Sequence, residues 1–351
     1  MNASLNVLHV KELFLVRSEK WFHYILEEQT PGKKWLASRQ IEHLDEFPLT
    51  NTELIRVRPE NILTNSINRC AYRLIERPIL WGAAAYIDAV KTLHPDIIHA
   101  HYGPMGHVLS KDGYPLRAPL ITSFYGYDIS QLPRDRYWRT GYAKLFQRGA
   151  GFIVEGGEMK KRLLHLGCDP KKAFIVRIPV DPASLPFKER HVAAATKRVI
   201  LMCCNFIEKK GIPWALQSFA LARKHWPGAE LRIIGSGKLW SAVCGLIKKL
   251  DLTCAVTLLG TQPHSVFIKE ALEADIFMQP SIEGSDGMTE GGAPTVLLEA
   301  QCMGLPVISS FHADIPDVVP NGESGYLVPE KDVEALSAAI FRLFEEPQRW
   351  P

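Results

Sequence analysis

Short apolar runs alternate with longer amphipathic segments along nearly the whole chain, and the alternation stops once, over a proline-bearing stretch at 179–197, before starting again. Apolar runs without a polar face need cover on both sides, and an intervening helix returns the chain to begin the next strand in parallel. The pattern predicts strands at 6–10, 97–100, 119–123, 151–154 and 174–177 in the first half, with a long helix candidate at 65–93. In the second half it predicts strands at 199–203, 230–234, 255–259, 275–279 and 305–309, and helices at 213–225, 239–250, 264–273 and 332–345. A restart after a proline-rich stretch predicts two Rossmann-like domains, 1–180 and 198–351, joined by a linker at 181–197. Open parallel sheets take their ligands beyond the carboxyl ends of the strands. The expected fold class is therefore α/β, two facing Rossmann-like domains with a cleft between them.

Composition narrows the function. Hydrophobic residues make up 46% and charged residues 23% of the 351, which excludes a disordered or fibrous chain. A net charge of +3 is too small to point to nucleic acid. The seven cysteines form no C-x-x-C pair, so neither a metal-ligand spacing nor a disulfide framework is expected, and the chain reads as reduced and cytoplasmic. The adjacent Cys203 and Cys204 read as small buried hydrophobes. Lys11, Glu12, Arg17, Glu19 and Lys20 break up any signal-peptide run, and no apolar stretch reaches the roughly 18 residues of a membrane span. Arg69, Arg73 and Arg77 mixed with Tyr72, Trp81 and Tyr86, and the basic-aromatic run at 134–139, offer a peripheral contact with an anionic bilayer. The alternative for these segments is domain core plus solvated arginines.

The most informative segment is 274–310, where an apolar strand leads through a polar loop into Glu290-Gly-Gly-Ala-Pro-Thr-Val-Leu-Leu-Glu299. Gly291 and Gly292 let backbone approach a ligand closely, and Pro294 suits a first helical turn. The free N–H groups of the helix that follows favour an anion such as a diphosphate. Glu290 lies before that anion site and Glu299 inside the helix. The alternative is an ordinary β–α turn with solvated glutamates.

Several ordered segments agree with one family. Residues 274–329, the loop 206–211 (Phe-Ile-Glu-Lys-Lys-Gly), the strand and turn at 229–239, the strip 259–263, and the closing elements 313–319 and 321–330 resemble the donor-binding half of the family 4 retaining glycosyltransferases, whose fold is GT-B. Segments 95–103 (Pro-Asp-Ile-Ile-His-Ala-His-Tyr-Gly) and 123–128 (Ser-Phe-Tyr-Gly-Tyr-Asp) are similar to its N-terminal half, and Ser18-Glu19 resembles an acceptor-side loop. The likeness is to the branch that builds colanic acid and related bacterial exopolysaccharides, and it covers roughly residues 90–335.

The resemblance implies a retaining hexosyltransferase that uses a nucleotide-diphosphate sugar, needs no metal or other cofactor, and acts on a glycan or lipid-linked acceptor. Glu290 and Lys210 are the implied catalytic residues. The implied donor-binding residues are Asn205, Gly235, Gly237, Gln262, Gly291, Gly292, Ala293, Pro294, Thr295, Val296 and Glu299, with Lys210 and the N–H groups near Thr295 and Val296 on the diphosphate, and Glu299 on the ribose hydroxyls. His101, Gly103, Tyr125 and Asp128 fall on the acceptor side. Lys209 reads as solvated, Gly235 and Gly237 also suit a plain tight turn, and Asp128 also suits holding a loop or helix start. Period-two spacing puts His99 and His101 on one strand face, where packing and acceptor contact are both open.

The chain departs from the family pattern in four places. One extra residue separates Glu290 from Glu299 and falls in the glycine loop. Asn205 stands where an arginine is usual, and Tyr125 where a histidine often stands. The sequence stops at Pro351, where the family usually continues into helices that cross back; either it is short by nature or the crossing helix is missing, and the second case predicts a looser clamp and lower stability. Asn205 and the short C-terminus motivate a rival, a non-catalytic nucleotide-sugar binder or assembly partner. A sugar-nucleotide epimerase is a second.

Overall fold

In the computed structural model, residues 4–14, 19–28, 32–57, 83–111, 116–190 and 198–346 are described. The chain divides into two units, Met1–Pro179 and Val180–Pro351. The first carries β1 (Val7–Phe14), β2 (Lys34–Ile41), β3 (Glu53–Arg56), β4 (Ile97–His101), β5 (Leu120–Ser123), β6 (Gly151–Val154) and β7 (Ala173–Ile175). They pair in the order β3-β2-β1-β4-β5-β6-β7, every pairing parallel. The second carries β8 (Arg198–Cys203), β9 (Ala229–Ile234), β10 (Val256–Gly260), β11 (Ile276–Gln279), β12 (Val307–Ser310) and β13 (Gly325–Val328), in the order β10-β9-β8-β11-β12-β13 and again parallel. Each order steps outward from a first strand and then reverses beside it. That reversal opens a crevice at the carboxyl ends of β1 and β4 in one unit, and of β8 and β11 in the other.

The sheets are covered on both faces, as apolar parallel strands require. Along β8 successive side chains alternate sides: Ile200 and Met202 enter one buried cluster with Phe219 and Ile340, while Val199 and Leu201 enter another with Phe277 and Leu297.

Most predicted elements stand within a few residues of their expected bounds. The strands β2, β3 and β13 and the helices Gly103–Leu109, Arg136–Arg148 and Gly157–His165 were not among the predicted elements, nor was the helix Lys20–Glu27, although its Trp21, Phe22, Ile25 and Leu26 stand at helical spacing and pack on one cluster. Of the 65–93 helix candidate, Ala83–Leu93 is helical. Arg69, Tyr72, Arg73, Arg77 and Trp81 lie outside the described residues. Tyr86 and Trp138 are buried in the core of the first unit, so these two aromatics pack inward and present no face to a bilayer.

The stretch expected as a linker is in part fastened to the second unit. The Arg190 guanidinium, 7% exposed, donates to the carbonyls of Ala271, Leu272, Ala274 and Met303. Lys188 Nζ donates to Leu272 O as well. These carbonyls close the helices His264–Glu273 and Thr295–Cys302, whose last C=O groups have no intrahelical donor. Residues 191–197 lie outside the described residues.

Candidate functional site

In the second unit, the loops that leave β8 and β11 meet over one buried carboxylate. A single 3₁₀ turn, Glu208–Lys210, ends at Gly211, whose φ of +66° is left-handed. A Cβ there would sit 1.8 Å from Pro280 O, so only glycine lets the turn pack against the exit of β11. The turn delivers two lysines to Glu290. Lys210 Nζ donates to both carboxylate oxygens, at 2.7 and 2.9 Å, and Lys209 Nζ lies 2.9 Å from Oε2. Ser281 Oγ donates to Oε1 at 2.6 Å. Burial would push this carboxyl up, but the two ammonium groups and the Ser281 hydroxyl outweigh it and hold the group well below the usual carboxylate range. Two lysines against one carboxylate leave the cluster with a surplus positive charge.

The backbone of Glu290 is held from another side. Its N–H donates to His312 Nε2 at 3.1 Å, so the ring proton sits on Nδ1, which donates to Glu330 Oε1 at 2.6 Å. Glu330 Oε2 also accepts the N–H of Glu283. The loop between β11 and the next helix is thus tied at both ends.

Glu299 lies on the helix Thr295–Cys302 and shares a 2.8 Å hydrogen bond with His264 Nε2. Neither glutamate is a solvated one, so the ordinary-turn alternative does not describe this loop. Pro294 is the residue before the helix, with ψ 126°, one position earlier than expected; its extended ψ keeps it out of the helical turn. The side chains of Ala293 and Val296 pack on the core. Gly291 adopts φ +83° at the start of the loop, and Gly292 follows it, both buried. Gly235 and Gly237 close the β9 turn against the β8 loop, where a Cβ on Gly235 would meet Cys204 O at 1.9 Å. Gln262 donates to Leu259 O, after β10. Asn205 is exposed at the head of the β8 loop. Burial pushes the thiols of Cys203 and Cys204 up, as for unreactive core cysteines.

The four residues assigned to the acceptor side also come together, in the first unit. Asp128, fully buried, accepts the N–H of Gly103 at 2.9 Å and those of Tyr125 and Gly126 at 3.0 Å, joining the loops that leave β4 and β5. Burial pushes its carboxyl up to about 6 against these donors. The loop-holding alternative for Asp128 therefore describes what it does here. His101 Nδ1 shares a 2.6 Å hydrogen bond with the Tyr125 hydroxyl. His101 Nε2 faces His9 Nδ1 at 3.0 Å, and His99 Nε2 bonds Ser123 Oγ at 2.7 Å. Burial lowers the pKa of all three imidazoles, that of His99 to about 4, so they are neutral near pH 7. Tyr102, with φ +73°, and Lys11 both reach Glu19. Ser18 lies outside the described residues.

Lys209 is a correction: it is not solvated, because the turn that aims Lys210 at Glu290 aims its neighbour there too. His9, His264, Ser281, His312 and Glu330 were not singled out in the sequence. The available signal was weak: a histidine inside an apolar strand, or a polar residue just beyond one.

Two Rossmann-like units, each with a polar cluster at its strand-order reversal, are the architecture of the GT-B fold. The model for glycosyl transferases group 1 matches residues 186–349 and that for glycosyltransferase family 4 matches residues 50–184. The protein described as colanic acid biosynthesis glycosyltransferase WcaL of Escherichia coli K12 is 34% identical over 323 residues, 91% of this chain and 78% of that one. The amylovoran biosynthesis glycosyltransferase AmsK of Erwinia amylovora is 32% identical over 72% of this chain. The chain spans 62% of AmsK and 60% of the Salmonella typhimurium WcaL, so it covers less than two thirds of these relatives' length. The structure of HepE from Anabaena, in complex with UDP and glucose, superposes with a TM-score of 0.76 at 15% identity over 99% of this chain and 91% of that one, a likeness of fold. The chain belongs to the family 4 glycosyltransferases. No helix among the described residues is long and apolar enough to cross a membrane.

Proposed function

We propose that this chain transfers a hexose from a nucleotide-diphosphate sugar, with retention and without a metal in the transfer step, to a glycan or lipid-linked acceptor during assembly of a bacterial surface polysaccharide. The observation that carries the reading is the buried cluster of Lys209, Lys210 and Glu290, under a glycine loop that opens a helix, at the β8/β11 reversal. Its surplus positive charge and the first N–H groups of that helix suit a diphosphate. Lys210 can turn from Glu290 to the leaving phosphate, while Lys209 keeps the carboxylate balanced. Glu290 and the backbone at Gly291–Ala293 then orient the sugar, and Glu299, positioned by His264, takes the ribose diol. Gly235, Gly237 and Gln262 border the nucleotide. The acceptor meets Tyr125, in the arrangement that His101, Gly103 and Asp128 hold. The relatives named for colanic acid and amylovoran biosynthesis support a polysaccharide product, and the UDP complex of a protein of the same fold supports a nucleotide-sugar donor. The proposed location is the cytoplasm, at the inner membrane face where the acceptor is lipid-linked.

One observation favours a second reading, binding without turnover. Asn205 leaves the diphosphate without the family's arginine, and both lysines are engaged by Glu290. Incubation with UDP-, GDP- and ADP-hexoses and a lipid-linked acceptor separates the two. Nucleotide release with an α-configured product, lost in Glu290→Ala, is expected. Tight nucleotide-sugar binding with no release supports the second reading, and conversion of the donor sugar without acceptor would show an epimerase.

A further inference from the structure

Three imidazoles meet on the two central strands of the first unit. His9 on β1 and His99 on β4 are register partners, and His101 follows two residues on, so the pleat brings all three to one face. Each offers one ring nitrogen, and those atoms lie within 4.8 Å of one another. His9 Nδ1 and His101 Nε2 are 3.0 Å apart. A tetrahedral ion holding nitrogen at 2.0–2.1 Å sets its ligand atoms about 3.4 Å apart, so this pair is close to the required spacing.

Two of the three outer nitrogens are also provided for. A ligating histidine as a rule gives its remote N–H to an oxygen that fixes its tautomer. His101 has the Tyr125 hydroxyl on Nδ1 and His99 has Ser123 Oγ on Nε2, which leaves the opposite nitrogen of each as a lone-pair donor. Of the two cations that face the cluster, Lys11 is offset by Glu19 at 2.5 Å, and Lys34 Nζ donates to the carbonyls of Leu26 and Glu28. His9 is 5% exposed and His99 only partly buried, so the cluster is not sealed.

We propose that His9, His99 and His101 form a binding site for one divalent late transition ion, with Zn²⁺ the best match to three imidazole ligands. The site goes beyond the proposed transfer and supplies none of its chemistry. It bears on the acceptor side through one bond: an ion on His101 Nε2 fixes the proton on Nδ1, so His101 then donates to Tyr125 and the tyrosine hydroxyl proton is free to point elsewhere.

Co²⁺ titrated into the untagged full chain tests this. One equivalent should produce the intense visible absorption of four-coordinate cobalt, and one equivalent of Zn²⁺ should remove it. His9→Gln and His99→Gln, each checked for a cooperative melt, should weaken Co²⁺ binding by more than the roughly 10–100-fold that loss of an outer-shell partner costs. Wild-type protein that gives only the weak bands of six-coordinate cobalt would overturn the site. So would bands that persist unchanged in both variants, or a near-ultraviolet sulfur-to-cobalt band, which would assign the ion to cysteine. The wild-type result stands even if a variant fails to fold, and no outcome bears on the transfer reaction.

Discussion

Lys210 Nζ donates to both carboxylate oxygens of Glu290, at 2.7 and 2.9 Å, so two residues singled out separately in the sequence form one buried ion pair. Removing one member of such a pair leaves the other uncompensated, at about 3–5 kcal/mol when no substitute charge is near. Here Lys209 stays beside Oε2. Lys210→Met should therefore cost about 1–3 kcal/mol in urea unfolding, and abolish nucleotide release more completely than its stability loss explains.

Glu290 makes stability depend on pH. Its folded pKa lies below the ordinary 4.5, so its stabilisation is fully present above pH 4.5 and is lost as pH falls towards the folded value. The melting temperature of the wild type should exceed that of Glu290→Gln at pH 7, and the gap should narrow steadily below pH 4.5. A gap of constant size across that range would contradict the pairing.

Gly211→Ala should destabilise by more than about 2 kcal/mol, because the residue sits at φ +66° and its Cβ would lie 1.8 Å from Pro280 O. Chemical denaturation monitored by tryptophan fluorescence measures it. The turn that aims Lys209 and Lys210 cannot be kept without moving the exit of β11, so nucleotide release should fall in parallel.

Asn205→Arg should raise kcat/KM by roughly tenfold or more, since it returns a cation to the diphosphate. Asn205 is exposed, so the longer side chain meets no core. Steady-state nucleotide release with saturating acceptor reads the change; an unchanged or lower rate would show that the two lysines suffice.

Asp128→Ala should cost about 3 kcal/mol or more, because it strands the buried N–H groups of Gly103, Tyr125 and Gly126 together. A thermal melt, with acceptor KM measured on whatever remains folded, separates loss of the first unit from loss of the loops alone.

Much of the fold was legible in the chain. The β8 and β11 runs are apolar on both faces, while β9 alternates with Glu230 and Arg232 on one face, and no other arrangement covers the apolar runs as well as a parallel sheet with helices on either side. β2 and β3 were not legible as elements, because Lys34–Ile41 and Glu53–Arg56 carry polar residues without strict alternation, whereas β13, Gly325–Val328, is as short and apolar as the predicted β6 and carries the same signal. The strand state of β2 and β3 comes from pairing with a neighbour already in place.

The sequence by itself determined which residue types stand at which bends: glycine at 211, 235 and 291, lysine at 209 and 210, glutamate at 290 and 299. Local chemistry and steric demand act within a few residues, so the linear order records them. Only the tertiary structure decided who meets whom: Lys209 at Glu290 and not in water, His264 at Glu299, His312 between Glu290 and Glu330, and His9 across from His99 and His101. These partners come from elements far apart in the chain, and strand order alone brings them within hydrogen-bonding reach.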